Sequence, residues 1–504
     1  AAFMREAIAE LETRLAAARE AGGEAARARH RDRGKLLPRE RLERLLDDSA
    51  AFLELSPLAA WEMYDNESPG ASVITGIGAV GGRQCAIVAH EATVKGGAIY
   101  PVSVQKVLRL QEIARRNRLP CVYLVESAGA NLRYQSEFFA DLGSRTFANQ
   151  TRMSAAGIPQ IAVVFGNATA GGAYVPGLSD YTIFVRGQAK VFLAGPPLVK
   201  AATGEETDDE TLGGAAMHAS KSGLADYVAD DDAGAIERAR TIVATLERSA
   251  TASEQRLAPV GPAYDVEELL GIVPRDRRRL FDMREVVARI VDDSRFLEFK
   301  ANFGTSLVAG HAHLDGWPIG VLANNNVLFS DSAQKAAQFV QLCEQSATPL
   351  LYLQNITGFM VGTSVEQGGI VKHGSALINA VANATVPQFT VIVGASYGAG
   401  NYGMCGRGLD PALLLTWPSS RIAVMGPQQA AGVLSMVSGK ASDAMRAEIE
   451  AQFERESTPY YATARLWDDG IVDPRATRRA LAHALVIARR RDDRPANTYG
   501  AFRL

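Results

Sequence analysis

The sequence predicts an α/β chain of two similar domains that arose by internal duplication. The segment IPQIAVVFG around Pro159 recurs as VPQFTVIVG around Pro387. Tyr-Leu and Gln-Lys pairs recur upstream in the same order, Tyr-Leu at 123 and 352 and Gln-Lys at 105 and 334. A repeat this long indicates a duplicated domain rather than a solenoid. In each half, apolar runs alternate with helical periodicity, which is typical of βαβ units and mostly parallel sheets.

Both halves predict the same order of elements. A turn-rich β segment comes first, and a helix with apolar periodicity follows it, around Val104 in one half and Ala333 in the other. A short apolar run, a glycine-containing loop, a second helix and a second apolar run then lead to a cluster of glycines. Such continuous apolar runs predict strands buried on both faces. The predicted β segments are 72–90 and 305–323, and the apolar runs are 120–125, 160–165, 349–353 and 388–393.

The ends of the predicted domains follow from composition. Residues 4–29 are rich in Ala, Glu and Arg and predict one helix, and Pro38 predicts the first turn of another. The boundary should lie near 250–265, because residues 249–253 are small and residues 259–262 contain two prolines, both typical of a linker. We therefore expect an N-terminal domain at 1–255 and a C-terminal domain at 256–504.

Composition excludes several classes of function. The formal net charge of −3 gives no reason to expect a nucleic-acid partner. The sequence contains no run of 18 apolar residues, so it predicts no membrane span. The N-terminus mixes acidic residues with arginines, whereas targeting peptides do not. The four cysteines are scattered without a C-x-x-C spacing, so we expect neither disulfides nor a metal site. The absence of a disulfide pattern predicts a cytoplasmic location.

A dinucleotide fingerprint at residues 76–81 is a weak signal. The letters GIGAVG match G-x-G-x-x-G, but residues 82–89 read as a strand, whereas the fingerprint needs a helix there. The second half lacks the pattern. A glycine-containing hairpin is the favoured interpretation.

The stretch GASYG at residues 394–398 raises a sharper question, because it matches the nucleophile elbow of serine hydrolases. When the halves are aligned, Ala168 stands where Ser396 does. Both halves instead keep small residues at the start of the next helix: Gly171-Gly172 and Ala399-Gly400. Amides in a first helical turn have no intrahelical acceptor, so each pair could form an oxyanion hole. Close packing of helix on strand is the alternative for each pair taken alone.

A serine hydrolase would also need a histidine base. His218 and His373 lie nearest in sequence to glycine-rich motifs, but nothing singles out either as catalytic. The repeated glycine pairs therefore favour backbone chemistry over Ser396.

Seven motifs are spread along the chain: RGKLLPRERL at 33–42, ATVKGG at 92–97, SAGANL at 127–132, AGGAYVP at 170–176, AGPPLVKAATG at 194–204, QNITGFMVG at 354–362 and YGAGNYGMCG at 397–406. With these motifs the chain resembles the carboxyltransferase (β) subunit of biotin-dependent acyl-CoA carboxylases, over nearly its full length. The motifs at 354–362 and 397–406 resemble the 3-methylcrotonyl-CoA and geranyl-CoA branch. Residues 166–172 (GNATAGG) and 126–131 (ESAGAN) depart from the family pattern at the acyl pocket, which bears on the substrate more than on the reaction.

The resemblance implies two tandem crotonase-like (ββα superhelix) domains and an active site shared between domains of two subunits, usually in a hexamer. It implies a partner α subunit that carries biotin carboxylase and the biotinyl lysine, and no metal in this chain. The implied reaction moves a carboxyl group from carboxybiotin to an acyl-CoA. Amides at Gly171 and Gly172 would hold the thioester oxygen, those at Ala399 and Gly400 the ureido oxygen, and the released biotin would take the substrate proton.

Other positions carry over from the family with less force, and for each a packing role is the alternative. The acyl-CoA side comprises Gly129, Ala130, Asn131, Ala173 and Tyr174, and the biotin side comprises Gly358, Phe359, Asn401 and Tyr402.

Three other functions stay open at this point. They are a crotonase-type hydratase, isomerase or thioesterase without biotin, a serine hydrolase at Ser396, and a non-catalytic assembly subunit. Branched, unsaturated and long acyl groups all stay open, and a branched or unsaturated group such as 3-methylcrotonyl is expected first.

Overall fold

The computed structural model describes residues 2–137, 139–246, 256–276, 279–438, 443–465 and 467–488. Residues up to Leu246 form one compact unit, here the N-terminal unit, and residues from 256 onward form a second, here the C-terminal unit. The predicted linker residues 249–253 lie outside the described ranges, and the predicted division at 255 and 256 stays a prediction.

The N-terminal unit is built on one mixed sheet of eight strands in the order β1-β2-β3-β5-β7-β8-β10, with β9 paired to β7. The first three strands are antiparallel neighbours, and every later pairing is parallel. The strands are β1 (Leu53–Leu55), β2 (Val73–Val80), β3 (Arg83–His90), β4 (Ala98–Ile99), β5 (Cys121–Ser127), β6 (Gly129–Ala130), β7 (Gln160–Thr169), β8 (Tyr181–Val185), β9 (Lys190–Phe192) and β10 (Tyr227–Ala229). The helices are α1 (Ala2–Glu20), α2 (Glu24–Asp32), α3 (Pro38–Leu45), α4 (Pro101–Asn117), α5 (Ser144–Ala155), α6 (Tyr174–Gly177), α7 (Pro196–Thr203), α8 (Asp209–Gly213), α9 (Ala215–Met217) and α10 (Asp232–Thr245).

The C-terminal unit repeats this plan, with strand order β11-β12-β13-β15-β16-β17 and with β14 and β18 paired to β15 and β16. Its strands are β11 (Leu297–Glu298), β12 (Leu307–Leu314), β13 (Trp317–Asn324), β14 (Asn326–Leu328), β15 (Leu350–Phe359), β16 (Gln388–Tyr397), β17 (Leu413–Thr416) and β18 (Arg421–Ala423). Its helices are α11 (Leu269–Ile272), α12 (Met283–Ala288), α13 (Ser330–Gln345), α14 (Thr363–Gln367), α15 (Ile370–Asn383), α16 (Gly400–Gly403), α17 (Pro427–Ser438), α18 (Asp443–Glu456), α19 (Pro459–Thr463) and α20 (Thr477–Ala488).

The predicted order of elements is confirmed in both units. The turn-rich β segments are the hairpins β2–β3 and β12–β13, so the glycines at 76–81 belong to a hairpin and not to a nucleotide loop. The apolar runs are the central parallel strands β5, β7, β15 and β16, and their residues are almost wholly buried.

The single helix predicted at 4–29 is wrong, because the chain breaks between α1 and α2. Gly23 has a φ of 77°, in the left-handed region. A Cβ on Gly22 would lie 2.0 Å from the carbonyl oxygen of Thr93, so only glycine fits where the chain approaches that loop. Pro38 does begin α3, as predicted.

Equivalent strands in the two units carry the same irregularity. The pairing of β5 with β7 shifts register between Val125 and Ser127. The pairing of β15 with β16 shifts between Gln354 and Ile356. Each shift comes where the parallel ladder ends, directly before the loops that carry the predicted sites, so the units match strand by strand at that point.

Within the described ranges, none of the helices has the length and apolar character that crossing a bilayer requires.

Candidate active site

The first predicted pair of small residues lies in a tight turn after β7, here the first glycine turn (residues 169–173). Residues Ala170–Ala173 form one 3-10 turn, and α6 follows at once. Ala170 has a φ of 52°, a left-handed conformation that costs an alanine about 1–2 kcal/mol. Gly171 is exposed and Gly172 is buried, and a Cβ on Gly172 would meet no atom within 4 Å. The backbone at Gly172 therefore borders open space.

The second pair lies in the equivalent turn after β16, here the second glycine turn (residues 397–401). Gly398 has a φ of 60°, which matches Ala170, and α16 begins at Gly400. Ala399 is exposed and Gly400 is buried, the same pattern as in the first turn. Here a Cβ on Gly400 would lie 2.2 Å from Cδ1 of Ile356, so the second turn is packed more tightly.

Neither turn is capped by a side chain. Thr169 and Ala399 occupy the N-cap positions, and neither side chain accepts a hydrogen bond from the helix that follows. Among the described residues, the N–H of Ala399 also has no backbone acceptor. Because α6 and α16 are only four residues long, their dipoles add little, and any anion would be held by the local N–H groups.

A loop of residues 129–131 adjoins the first glycine turn. Gly129 and Ala130 form β6, which pairs with β4, and the N–H of Asn131 donates to Ile99 O over 2.9 Å. N–H groups alternate in direction along a strand, so the N–H of Ala130 points away from β4. A Cβ on Gly129 would lie 3.4 Å from the carbonyl oxygen of Thr169, so loop and turn are neighbours.

The C-terminal unit repeats this loop. Phe359 pairs with Leu328 of β14, and the N–H of Met360 donates to Leu328 O over 2.8 Å. By the same alternation, the N–H of Phe359 points away from β14. Gly358 Cα lies 3.5 Å from the position of a Cβ on Gly400, so the loop adjoins the second glycine turn.

Aromatic side chains flank the two turns. Tyr174 and Tyr402 hold matching positions and are 47% and 55% exposed. The ring of Phe147 on α5 packs edge-on against Tyr174 with centroids 5.9 Å apart. Phe147 Cζ also lies 3.9 Å from the position of a Cβ on Gly171. Sequence reasoning missed Phe147, since helical periodicity does not show which face of α5 meets a turn that follows the next strand.

The side chains of two predicted biotin-side residues serve the fold. The Phe359 ring lies 3.3 Å from the Cβ position of Gly374 and 3.4 Å from that of Gly403, so it packs between α15 and α16. Asn401 Nδ2 donates to Ser396 Oγ over 2.8 Å. Contacts of these residues with a ligand would therefore involve their backbone.

Ser396 is not placed to be a nucleophile. It is fully buried, and its hydroxyl donates to Gln354 Oε1 over 2.5 Å and accepts from Asn401. Among the described residues, no histidine hydrogen-bonds to it. A serine nucleophile needs a histidine base within hydrogen-bonding reach, so the hydrolase hypothesis is wrong on geometric grounds.

The two histidines considered above make structural contacts. His218 lies within 2.7 Å of both Ser222 Oγ and Val191 O, and His373 Nε2 lies 3.1 Å from Gln334 Nε2. Burial lowers the pKa of both imidazoles, so both favour the neutral form.

A buried ionic cluster supports the loop of the first site. Glu126 precedes that loop, and its carboxylate accepts from Lys35 Nζ over 2.5 Å and from Arg41 over 2.7 Å. Burial raises the pKa of this carboxyl, but Arg41 and Lys35 outweigh burial and hold it below its usual value. Glu126 therefore stays charged and acts as an anchor for the segment that contains α3.

The described residues contain no group of three or more His, Cys, Asp or Glu placed to hold a metal ion.

Comparison with known proteins identifies the family. The model of the carboxyl transferase domain matches residues 29–500. This chain belongs to the carboxyl transferase family. It is 53% identical to the biotin-dependent 3-methylcrotonyl-coenzyme A carboxylase beta1 subunit of Mycobacterium tuberculosis, over 96% of this chain and 94% of the relative. It is 47% identical to the methylcrotonoyl-CoA carboxylase beta chain, mitochondrial, of Arabidopsis thaliana, over 99% and 89%.

The carboxyl transferase fold is also found in a solved structure. Transcarboxylase 12S, described as a hexamer assembly with methylmalonyl-coenzyme A and methylmalonic acid bound, superposes with a TM-score of 0.90 at 33% identity. The match covers 99% of both chains. The predicted α/β fold of two tandem crotonase-like domains is confirmed, and so is the predicted family.

The structure brings the predicted site residues together in two groups. In the N-terminal unit of this carboxyl transferase, the loop at 129–131 adjoins the turn that contains Gly171 and Gly172. In the C-terminal unit, the loop at 358–359 adjoins the turn that contains Ala399 and Gly400. The roles of these residues in catalysis stay predictions.

Proposed function

We propose that this carboxyl transferase moves a carboxyl group from carboxybiotin to an acyl-CoA, with 3-methylcrotonyl-CoA as the first candidate substrate. The single observation that carries the mechanism is the repeated turn: each unit presents one exposed and one buried backbone position directly after a central parallel strand. The methylcrotonyl-CoA carboxylases of Mycobacterium tuberculosis and Arabidopsis thaliana, whose β subunits are similar to this chain, support the choice of acyl group.

At the first glycine turn, we assign the thioester oxygen of the acyl-CoA to the amides of Gly171 and Gly172, with Ala130 as a further donor. Removing a proton from the α-carbon, or from the γ-carbon of an α,β-unsaturated acyl group, moves negative charge onto that oxygen. Donors held in place before the reaction stabilise this charge without reorganisation, and one lost donor typically raises the barrier by about 3–4 kcal/mol. Gly129, Asn131, Ala173 and Tyr174 would line the same pocket.

At the second glycine turn, we assign the ureido oxygen of biotin to the amides of Ala399 and Gly400, with Phe359 as a further donor. The N–H of Ala399 has no backbone acceptor among the described residues, and Ala399 is exposed. The residues of this turn carry no ionised side chain, so nothing in it would repel an oxygen that becomes negative. These features fit biotin, and Gly358, Asn401 and Tyr402 would complete its surroundings.

The proton needs no side-chain base. Ser396 is committed to two hydrogen bonds inside the protein, and neither His218 nor His373 is placed beside it. Carboxylated biotin, when bound, would supply the CO₂, and the ureido nitrogen freed by its loss would be basic enough to take the substrate proton. The chain would bind both groups, orient them and hold the two oxygens as they gain charge.

We also propose a partner α subunit that bears biotin carboxylase and the biotinyl lysine, and a homo-hexamer whose active site is shared between domains of two subunits. The biotin dependence of the Mycobacterium tuberculosis relative and the hexamer assembly of transcarboxylase 12S support this proposal. The expected cytoplasmic location stays a prediction, since the Arabidopsis relative is described as mitochondrial.

The test is to purify the chain with its associated biotinylated protein and to measure bicarbonate fixation on a panel of acyl-CoAs. We expect ATP-dependent fixation that is greatest with 3-methylcrotonyl-CoA and is blocked by avidin. Conversion of acyl-CoA without biotin would instead indicate a hydratase or isomerase that uses the first turn alone. A complex that binds acyl-CoA and fixes no bicarbonate would indicate an assembly subunit.

A further inference from the structure

The second glycine turn is enclosed by a chain of side-chain hydrogen bonds, which is buried except at the half-buried Asn401. Asn401 Nδ2 donates to Ser396 Oγ over 2.8 Å, Ser396 Oγ donates to Gln354 Oε1 over 2.5 Å, and Gln354 Nε2 donates to Met404 O over 2.7 Å. Gln354 and Ser396 are fully buried. The chain therefore links β15, the end of β16 and both ends of α16.

The direction of every hydrogen bond in this network is determined. The carbonyl of Met404 can only accept, so Gln354 must present its NH₂ group to it and its oxygen to Ser396. The Ser396 proton then points to Gln354, and its lone pair is left for the Asn401 amide. The bond from Ser396 to Asn401 closes a loop around Ala399 and Gly400.

Packing holds the Asn401 end in place. A Cβ on Gly406 would lie 1.9 Å from Asn401 Oδ1. Only a glycine at position 406 therefore leaves room for the side-chain amide of Asn401. The N–H of Gly406 donates to Asn401 O over 2.8 Å. The side chain of Asn401 is therefore held between Ser396 and the backbone at Gly406.

The N-terminal unit has the same turn without the network. Ser127 pairs with Ala168 where Ile356 pairs with Ser396, so the two turns correspond residue by residue. The positions of Gln354, Ser396 and Asn401 are held there by Val125, Ala168 and Ala173. These three residues belong to the apolar core of that unit. Apolar contacts therefore hold the turn in the N-terminal unit, whereas directional hydrogen bonds hold the equivalent turn in the C-terminal unit.

We propose that Gln354, Ser396 and Asn401 are positioning residues for the second turn, fixing the amides of Ala399 and Gly400 at the angle that carboxyl transfer requires. This inference rests on the proposed function. Apolar contacts allow a turn to shift slightly, whereas directional hydrogen bonds in a largely buried network specify one orientation. The network touches no reacting atom, and it acts through the backbone between Ser396 and Asn401.

The test separates positioning from stability in the full-length chain. The first measurement is carboxyl transfer from γ-carboxylated 3-methylcrotonyl-CoA to free biocytin. Calorimetry measures the binding of 3-methylcrotonyl-CoA, and urea unfolding measures stability. Ser396→Ala and Asn401→Ala should each lower kcat of transfer at least about tenfold, because shifted donors lose transition-state contact. Their affinity for the acyl-CoA should stay within about twofold of wild type, because that ligand is assigned to the first turn.

Tyr352→Phe is the matched control. Tyr352 OH donates to buried Gln388 Oε1 over 2.8 Å, also between β15 and β16 but at the far end of the strands. Loss of this hydrogen bond should lower stability about as much as Ser396→Ala does. It should leave kcat of transfer within about twofold of the wild-type value. Equal losses of kcat in Tyr352→Phe and Ser396→Ala would overturn the proposal.

A triple variant copies the N-terminal unit: Gln354→Val, Ser396→Ala and Asn401→Ala. It leaves none of the three network side chains buried without a partner, although Met404 O loses the donor that Gln354 supplied. We therefore expect stability to recover in part while kcat stays low. Recovery of kcat together with stability would show a purely structural role and overturn the inference. A wild-type chain without biocytin-dependent transfer would overturn the proposed function itself, and an active wild type with unaffected variants would overturn this inference alone.

Discussion

The hydroxyl of Tyr123 donates to Oε1 of Gln160 over 2.8 Å, and the hydroxyl of Tyr352 donates to Oε1 of Gln388 over the same distance. Both bonds are buried and join the two central parallel strands of their unit at the end opposite the glycine turn. The duplication therefore extends from the order of elements to individual side-chain contacts.

Because these two bonds are equivalent, Tyr123→Phe and Tyr352→Phe should destabilise their own units by similar amounts. Each variant leaves a buried amide oxygen without its donor, at a cost of about 1–3 kcal/mol. Urea unfolding followed by hydrogen exchange, resolved by unit, measures both. A loss confined to one of the two variants would show that the contacts are not equivalent.

Filling the space beside Gly172 should block the first site without disturbing the fold. A Cβ at this position meets no atom within 4 Å, so Gly172→Val should keep the wild-type free energy of unfolding to within about 0.5 kcal/mol. Its side chain would enter the space assigned to the thioester, and carboxyl transfer should fall by at least about 100-fold.

Gly177→Val is the control for that variant, since a Cβ on Gly177 also meets nothing within 4 Å. Gly177→Val should keep wild-type carboxyl transfer. If Gly172→Val also transferred the carboxyl group at the wild-type rate, the first glycine turn would not be part of the active site.

The second turn should respond differently, because Ile356 already fills the space beside Gly400. Gly400→Ala places a methyl group 2.2 Å from Ile356 Cδ1, so the turn or the side chain must move. We expect lower stability and roughly tenfold slower transfer. In a double-mutant cycle, adding Ile356→Ala should restore part of the lost stability and part of the lost transfer rate. Purely additive effects of the two changes would contradict a direct contact.

Acid should destabilise the C-terminal unit through His311. Burial, and to a smaller extent His313, lower the pKa of His311 to about 4. Since the unfolded side chain titrates near 6.5, the unfolded state binds the proton first, and stability falls as pH drops from about 6.5 to 4. The full shift corresponds to about 3 kcal/mol. His311→Gln should remove that part of the pH dependence in urea titrations, and an unchanged slope would contradict the assignment.

The fold could be predicted from sequence because its signals are local and occur twice. The apolar runs around Ile161 and Val391 and the glycine pairs after them are visible without tertiary information. The helix break near Gly22 was missed because its cause is a contact with Thr93, far along the chain.

The site was only partly predictable for the same reason. The letters around Ser396 suggest a nucleophile, and only the positions of Gln354 and Asn401 show that its hydroxyl is committed elsewhere. The amide directions of Ala130 and Phe359 depend on the register of short strands, which no spacing in the sequence reveals.

The most direct test of the central claim is transfer of a labelled carboxyl group from γ-carboxylated 3-methylcrotonyl-CoA to free biocytin by the purified chain. We predict transfer by the wild type that requires biocytin and releases no free CoA. Gly172→Val and Gly400→Val should each abolish it, because each turn holds one of the two oxygens. Transfer that persists in either variant, or thioester hydrolysis without biocytin, would contradict the account.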